Sequence, residues 1–352
     1  MLKKFFSRVL NPLSFDVGID LGTANTRVGI KGIGLIKIEP SVVAINKVTG
    51  EVLAVGEKAK EMLGKTPANI VAVRPLQDGV VVDFETTLAM LKHFINVAKQ
   101  YQGAGNILAK PRVLVGVPFT ATDVEKEATI DAALLAGARE AYIIEEPIAA
   151  AIGIGLPIES PQGNMVVDIG GGTTDITVIS LGGLVVDKTI TVAGDEMDEA
   201  IIEYIKQNFG LLIGPQTAEE IKKTLGNILP SEKSQKKMRI HGTDLNTRLP
   251  HSIEVTETHI AEALAPVIVK ITDAIKEALE EAPPEINADI HRVGIVITGG
   301  GSQIRNLDKF WQNELKIPVR LAKNPQLSVL HGILKAFDNL EYIKRLQESP
   351  LI

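Results

Sequence analysis

The hydrophobic and polar positions of this chain repeat one arrangement twice. Residues 17–19 are apolar, residues 20–26 contain glycine and threonine, and residues 28–30 continue in the pattern of a strand; residues 165–179 repeat this order. Short apolar runs beside glycine-bearing turns, followed by apolar residues at a period of two, are typical of paired strands. Each copy therefore predicts a strand, a tight turn and a returning strand.

The two predicted turns have the composition of phosphate-binding loops. Glycine lets backbone N–H groups approach an anion closely, and threonine hydroxyls add donors. The aspartate that leads each turn, Asp20 or Asp168, is placed to hold a hydrated Mg²⁺ against the phosphates. Two such loops indicate a duplicated domain that closes on one nucleotide. The predicted phosphate contacts are Gly22, Thr23, Ala24, Asn25, Gly170, Gly171, Gly172, Thr173 and Thr174.

A third glycine run follows a buried-strand pattern at residues 293–298 and precedes a helical pattern at residues 306–315. By itself such a run is also explained by a tight strand-to-helix turn. After two phosphate loops, it predicts a backbone that lies flat against a purine or ribose, which a side chain would block. The predicted contacts are Gly299, Gly300, Gly301, Ser302 and Gln303.

The remaining strand and helix patterns predict two α/β lobes. The first contains a helix at residues 85–100, and a Pro-, Gly- and Ser-bearing stretch at residues 157–163 marks the boundary between the lobes. A charge-rich stretch after the second lobe begins is predicted to be a helical insert. The predicted organisation is an amphipathic segment at 1–11, a first lobe at 12–156 with a small subdomain near 40–75, a second lobe at 157–325 with an inserted subdomain near 195–252, and C-terminal helices at 326–352.

Composition narrows the function classes. The 352 residues, 45% of them hydrophobic, are enough to fill two sizeable cores. The net charge of −6 argues against a nucleic-acid partner, which would favour a basic face. The absence of cysteine excludes disulfides and thiolate metal sites. No apolar run reaches the roughly 18 residues of a transmembrane helix, so we expect a cytoplasmic protein.

The first ten residues predict a short basic amphipathic helix. Leu2, Phe5, Phe6 and Val9 fall at i, i+3, i+4 and i+7, while two lysines and an arginine lie largely off that stripe. Such a helix is suited to an anionic membrane interface. A helix packed on the protein body is the alternative. The membrane interpretation places the chain at the inner face of the cell membrane.

The order of four motifs resembles the actin and heat-shock-chaperone ATPase superfamily. These motifs are residues 20–26, 145–151, 168–174 and 298–301. Within the superfamily the chain resembles the MreB family of bacterial rod-shape-determining actin homologues, and residues 39–44, 74–80, 153–157 and 305–308 support this narrower likeness. The resemblance covers nearly the whole chain. It implies an α/β, actin-like ATPase fold: two related ribonuclease-H-like lobes with a nucleotide cleft between them, smaller inserted subdomains, and a C-terminal tail that returns to the first lobe.

The resemblance also implies the catalytic residues. Glu146 corresponds to the residue that orients the attacking water, and Thr174 is expected to help hold that water. Asp20 and Asp168 would contact the hydration shell of Mg²⁺. Glu145 has a simpler explanation, because an acid at a helix N-terminus interacts favourably with the helix dipole by about 0.3–1 kcal/mol. We therefore expect Glu145 to be structural.

Two residues depart from the family pattern. Asp175 stands where close relatives usually carry glutamate, and its shorter side chain puts a direct catalytic role in doubt. Arg27 stands where MreB relatives commonly have an apolar residue and conventional actin has a lysine that reaches the phosphates. Arg27 is therefore either a solvated charge on a strand or an additional phosphate clamp.

Signals for the ribose and base are weaker. Gly194 and Asp195 resemble the ribose-side turn of the family. Glu219 and Lys222 are three apart on one predicted helix face, where both could reach a ribose or adenine edge, although such a pair is commonly only a surface feature. The predicted contacts on this helix are Glu219, Glu220, Ile221 and Lys222.

The resemblance predicts an ATPase that uses ATP and Mg²⁺, forms filaments that are paired protofilaments, and determines rod shape by organising cell-wall synthesis at the membrane. Its expected partners are itself, the membrane surface and membrane proteins of the wall-elongation machinery. Ile107 and Leu108 lie in a Gly-rich loop where relatives carry a membrane-inserting loop; a loop packed on its own lobe is the alternative. A monomeric chaperone-type ATPase and a sugar kinase of the same superfamily are the alternative functions.

Overall fold

The computed structural model describes residues 15–62, 69–73, 76–77, 80–81, 84–102, 110–231 and 236–341. The chain forms two compact units: one runs to Leu156 and includes the segment from Leu327 onward, and the other is Pro157–Gln326. The predicted amphipathic segment at residues 1–11, Ile107, Leu108 and the last eleven residues, 342–352, lie outside the described residues.

The first unit is built on a five-stranded sheet with the strand order β10-β9-β1-β2-β3. The first three strands form an antiparallel meander, and β1, β9 and β10 are parallel. Buried helices cover this sheet, as expected for parallel strands. The strands are β1 Asp16–Leu21, β2 Asn25–Ile30, β3 Gly34–Pro40, β9 Arg112–Val117 and β10 Glu140–Glu145; the helices are α2 Phe84–Tyr101, α3 Asp123–Leu135, α4 Glu146–Ile154 and α10 Ser328–Ala336.

A smaller part of the first unit follows β3. It contains a three-stranded antiparallel sheet with the order β5-β4-β6 and a two-stranded ladder of β7 and β8. The elements are β4 Val43–Asn46, β5 Val52–Val55, α1 Glu57–Met62, β6 Ile70–Val73, β7 Leu76–Gln77 and β8 Val80–Val81.

The second unit repeats this topology. Its five-stranded sheet has the order β13-β12-β11-β17-β18, in which β11 is antiparallel to β12 and parallel to β17. The strands are β11 Asn164–Ile169, β12 Thr174–Ser180, β13 Gly183–Ile190, β17 Ile295–Thr298 and β18 Val319–Leu321; the helices are α5 Gly194–Phe209, α6 Pro215–Leu225, α7 Glu257–Glu281, α8 Pro284–Val293 and α9 Leu307–Leu315. In both units the first strand of the hairpin pairs with the second strand on one side and with a parallel strand on the other, and a further parallel strand lies beyond it. The predicted duplication is therefore confirmed.

The charge-rich stretch beginning at Asp195 is only partly helical, contrary to the prediction. A three-stranded sheet of β14 Leu211–Leu212, β15 Lys237–Asp244 and β16 Pro250–Thr256 forms its later part. Met238 and Ile240 face the core, while Arg239 between them and the flanking Lys237 and His241 are exposed. This alternation of period two was present in the sequence, but the many charged residues around it masked the pattern. The prediction also placed Val293 in a strand, whereas it ends α8.

Helices α4 and α10 pack at unusually close range in the first unit. A Cβ added at Gly332 would lie 1.7 Å from the carbonyl oxygen of Ala149, and one added at Gly153 would lie 1.8 Å from that of Ser328. Only glycine permits backbones to approach so closely. Although α10 is far along the chain from α4, this contact makes it part of the first unit.

Candidate functional site

The first predicted loop is the turn between β1 and β2. A Cβ at Gly22 would lie 2.8 Å from the carbonyl oxygen of Asn25, so the turn requires glycine there. Ser41, the residue that follows β3, stabilises the turn: its Oγ donates to the Gly22 carbonyl at 2.5 Å and lies 2.9 Å from Thr26 Oγ1, and its N–H donates to the Ala24 carbonyl. No role was predicted for Ser41 from the sequence, although it lies within residues 39–44, a stretch that resembles the family.

Arg27 is paired with Asp20, its cross-strand neighbour in the β1–β2 register. Arg27 Nη1 lies 3.0 Å from Asp20 Oδ2, and the side chains are 17% and 5% exposed, respectively. The interpretation of Arg27 as a solvated strand charge is therefore wrong. Burial raises the pKa of Asp20 above its ordinary value, and the charge and hydrogen bond of Arg27 oppose this shift. Arg27 thus stabilises the ionised form of the aspartate that leads the first loop.

Glu146 lies at the same sheet end as Asp20. Asp20 on β1 is beside Gly116 on β9, and the β10 strand next to β9 leads directly into α4, whose first residue is Glu146. Glu146 Cγ is 3.5 Å from the position of a Cβ at Gly116. Both acids therefore neighbour Gly116 at the carboxyl ends of the parallel strands, which is the usual position of functional groups in such sheets.

Glu145 has a structural partner. Its Oε1 accepts a hydrogen bond at 3.1 Å from Lys126 Nζ on α3. Glu145 is also the N-cap residue of α4, although its side chain makes no capping hydrogen bond. The pairing agrees with the expectation that Glu145, rather than Glu146, holds the helix start in place.

The second loop and the third glycine run lie side by side in the second unit. β11 and β17 are paired with Asp168 opposite Thr298, so Gly299 follows directly beside the aspartate. Gly299 has a φ of +84°, and a Cβ there would lie 2.2 Å from Asp168 Oδ1. Gly300 is exposed, and a Cβ there would meet no atom within 4 Å. The turn is therefore closed toward Asp168 and open on its other face.

The start of α5 sits against the second loop. The N–H groups of Gly194 and Asp195 donate to the carbonyls of Gly170 and Gly171 at 3.3 and 2.8 Å. Lys222 on α6 donates to the Gly194 carbonyl at 2.6 Å and lies 2.9 Å from Asp198 Oδ2. Burial raises the pKa of Asp198, and Lys222 opposes the shift. Lys222 therefore joins α6 to the helix start that contacts the loop.

The other predicted ribose and base contacts on α6 do not face the second loop together with Lys222. Ile221 is fully buried in the core of the second unit, so its side chain does not face a ligand-accessible surface. Glu220 is exposed, and Glu219 Oε1 accepts from Lys223, one turn along α6. A sequence position within a motif does not specify which helix face is buried, and this is why the sequence did not distinguish Ile221, whose side chain is buried, from its exposed neighbour Glu220.

Thr174 and Asp175 have structural partners. Thr174 is fully buried, and its Oγ1 donates to the Val192 carbonyl at 2.7 Å, an arrangement that does not support the predicted role in holding water. The Asp175 carboxylate accepts from Thr189 Oγ1 at 2.6 Å and from Thr173 Oγ1 at 3.4 Å. Burial raises the pKa of Asp175, while both threonine hydroxyls oppose the shift. Asp175 therefore connects the loop to the neighbouring strand.

Within the described ranges, no group of three or more His, Cys, Asp or Glu side chains is arranged to hold a metal ion. A hydrated Mg²⁺ needs only one or two protein carboxylates, so this does not conflict with Asp168 as a contact through water. None of the helices in the described part of the chain is long and apolar enough to cross a membrane.

Comparisons with known proteins agree with this geometry. The profile of the MreB/Mbl protein family matches residues 14–345. The cell shape-determining protein Mbl of Bacillus subtilis is 47% identical over 334 residues, covering 95% of this chain and 99% of Mbl. The cell shape-determining protein MreB of Escherichia coli is 46% identical over 345 residues, covering 97% of each chain.

Solved structures are similar over the same length. MreB5 of Spiroplasma citri bound to ADP has a TM-score of 0.85 and 36% identity, covering 96% of this chain and 99% of MreB5. The same protein bound to AMPPNP has a TM-score of 0.86. A MamK double helical filament has a TM-score of 0.75 and 25% identity, covering 93% of this chain and 99% of MamK. The predicted actin-like fold class is confirmed, and the chain belongs to the MreB/Mbl family.

Proposed function

We propose that this chain is an ATPase that binds ATP and assembles into filaments that determine cell shape. The main support for the proposal is that the two units share the same sheet topology and that each has a glycine turn at the same position, between the first two strands of its sheet. Two kinds of relative support it: MreB5 has been crystallised with ADP and with AMPPNP, and both MreB and Mbl are named as cell shape-determining proteins. MamK, a more distant relative, forms a double helical filament.

The residues fit a nucleotide in each unit considered separately. In the second unit, Gly299 leaves no room for a side chain beside Asp168, and the open face at Gly300 can receive a flat ring. In the first unit, Gly22 keeps the turn tight and Arg27 keeps positive charge beside it. Glycine turns of this kind suit phosphates because their backbone N–H groups can be turned toward an anion.

Hydrolysis requires a group that orients water toward the terminal phosphate. Glu146 is the residue we propose for this role, because it lies beside Gly116, the strand neighbour of Asp20, at the carboxyl ends of β9 and β10. Phosphoryl transfer depends mainly on positioning and on charge stabilisation. Magnesium, when bound, neutralises charge on the transferred group. Asp168, at the end of β11, is the carboxylate of the second unit that we propose holds its hydration shell.

Gly300→Val is the variant that tests nucleotide binding. Its side chain would enter open space, so the fold should be retained, but it would cover the face proposed for the ribose or base. Overpacking against a bound ligand there should cost about 1–3 kcal/mol, which weakens Kd roughly thirtyfold at the midpoint of that range. Calorimetric titration with ADP and ATP measures the effect, and titration with GTP measures base preference.

Gly183→Val is the matched control, because it adds the same side chain at another exposed glycine, at the start of β13. A Cβ there makes only one ordinary contact, at 3.8 Å. It should bind ADP with parental affinity. Equal ADP affinity in Gly300→Val and in the parental chain would show that the nucleotide does not bind at this turn.

Sedimentation with ATP, followed by electron microscopy of the pellet, tests filament formation. Filaments would distinguish the proposed function from that of a monomeric chaperone-type ATPase or a sugar kinase.

We further propose that the filaments bind the inner face of the cell membrane and organise membrane proteins that build the cell wall. The support is the amphipathic pattern of Leu2, Phe5, Phe6 and Val9, with the apolar pair Ile107 and Leu108 as a second contact. Burial of one large apolar side chain contributes about 1.5–3 kcal/mol, so a single protomer should bind weakly. A filament presents many such segments at high effective concentration and should bind firmly.

Phe5→Glu combined with Phe6→Glu should abolish co-sedimentation with anionic liposomes and leave ATP hydrolysis and polymerisation in solution unchanged. Two negative charges oppose both burial and attraction to anionic lipid. Lys3→Gln with Lys4→Gln is a useful companion, since it should weaken binding in a salt-dependent way. Parental co-sedimentation of the Phe variant would refute the anchor. Loss of its polymerisation in solution would instead show that the segment packs on the protein.

A further inference from the structure

Arg305 connects the segment after the third glycine run to the end of α6. Its guanidinium makes three contacts: Nε donates to the Gly226 carbonyl at 3.1 Å, Nη2 to the Thr224 carbonyl at 3.2 Å, and Nη1 to Glu257 Oε1 at 2.6 Å. The last carbonyls of a helix lack partners within the helix, and a cation there interacts favourably with the helix dipole. Arg305 therefore caps the C-terminus of α6 from outside the helix.

The anion that faces Arg305 is almost completely buried. Glu257, the first residue of α7, is 3% exposed, and its second oxygen accepts from Asn227 Nδ2 at 3.2 Å. Asn227 Oδ1 in turn accepts from Asn306 Nδ2 at 2.8 Å. Every charged atom of this network thus has a defined partner, a condition under which a buried ion pair specifies one geometry.

Backbone hydrogen bonds strengthen the same junction. The Arg305 N–H donates to the Gly226 carbonyl at 3.3 Å, and the Ile228 N–H donates to the Arg305 carbonyl at 3.0 Å. A Cβ at Gly226 would lie 2.4 Å from the Lys222 carbonyl and 2.7 Å from Ile304 Cδ1, so this close contact requires glycine. The end of α6 and the chain at Arg305 are therefore joined by both side-chain and backbone hydrogen bonds.

This junction joins two walls of the proposed site. Toward the N-terminus from Arg305 lies the turn of Gly299, Gly300 and Gly301, and α6 carries Lys222, which holds the start of α5 against the second phosphate loop. We propose that Arg305 is a positioning residue for nucleotide binding: it sets the separation between α6 and the glycine turn, and thereby the fit of the ribose and base. This inference rests on the proposed nucleotide binding.

Two variants distinguish an effect of Arg305 on nucleotide binding from an effect on the stability of the fold. Arg305→Met keeps much of the side-chain volume but leaves Glu257 buried without its cation, so it should lower the melting temperature. The double variant Glu257→Gln/Arg305→Met removes the uncompensated charge and should recover most of that loss. It still lacks the guanidinium donors to the Thr224 and Gly226 carbonyls, although the backbone N–H at position 305 can still donate to Gly226. We therefore expect the double variant to regain most of the parental melting temperature and yet bind ADP about tenfold more weakly, because α6 and the glycine turn are no longer held at a fixed separation.

The controls identify which part of the network matters. Arg292→Met removes an arginine of an exposed pair with Asp289 on α8 and should leave ADP affinity unchanged. Arg305→Lys keeps the charge opposite Glu257 but cannot cap both carbonyls, so its ADP affinity should lie between those of the parental chain and Arg305→Met. Parental ADP affinity in the stable double variant would overturn the role of Arg305. Absence of ADP binding by the parental chain would instead overturn the proposed function itself.

Discussion

Replacing Glu146 with alanine should lower the rate of ATP hydrolysis by roughly 10²-fold or more and leave ATP affinity nearly unchanged. A positioned acid or base contributes about this much to a proton-coupled step. Glu146 begins α4 and packs beside Gly116, the strand neighbour of Asp20, so the carboxylate is held on a rigid element. Truncation to alanine leaves that backbone in place. Single-turnover hydrolysis and calorimetric titration with ATP give the two quantities separately.

Glu145→Ala is the matched control for this prediction. The two glutamates are adjacent, but Glu145 pairs with Lys126 and is part of the helix start. A partly exposed ion pair contributes about 0–1 kcal/mol to stability, so hydrolysis by Glu145→Ala should stay within a few-fold of the parental rate. Filaments of Glu146→Ala should also persist longer after assembly. Hydrolysis at the parental rate in Glu146→Ala would show that another group orients the water.

Arg27→Leu should lower the free energy of unfolding by about 3 kcal/mol, the lower end of the cost of breaking a buried ion pair. Asp20 is 3% exposed and would keep its carboxylate without the guanidinium 3.0 Å away. The large effect comes from the remaining charge more than from the lost contact. Equilibrium denaturation in urea at neutral pH measures the change.

The double variant Asp20→Asn/Arg27→Leu distinguishes this explanation from simple loss of packing. Because it removes both charges, it should recover most of the stability that Arg27→Leu loses. A double variant as unstable as Arg27→Leu would contradict the explanation by an ion pair.

The second hypothesis for Arg27, a phosphate clamp, is tested by calorimetric titration of Arg27→Leu with ATP. It predicts that the free energy of ATP binding weakens by about 1.5–3 kcal/mol. Unchanged ATP affinity would show that the Arg27 guanidinium pairs with Asp20 and does not contact a phosphate.

Both hairpins could be predicted from the sequence because their signals are local. Apolar strands, a glycine where the turn is tight and a return at period two all lie within about fifteen residues of one another, and local chemistry of this kind survives in most tertiary contexts. The helix predicted at residues 85–100 is found at Phe84–Tyr101 for the same reason. The alternation at β15 was equally local, but the charge of the surrounding residues led to the incorrect helical prediction.

The position of the acids was predictable only in outline. Glu145 was expected at a helix N-terminus with Glu146 beside it, and α4 begins there. Their different environments depend on α3 and β9, which approach from other parts of the chain. The pairing of Arg27 with Asp20 follows from the β1–β2 register, so the hairpin itself contained a signal that would have identified it.

The sequence by itself determined the local conformations and the residue types available to the site: glycine at the turns, acids at strand ends, and apolar residues for two cores. Only the tertiary structure decided which side chains face a ligand and which face the interior. Ile221 and Thr174 belong to motifs, yet both are fully buried, while Ser41 and Arg305 acquire their contacts from strands and helices distant in sequence. Side-chain direction and partners follow from how elements pack, and a motif specifies neither.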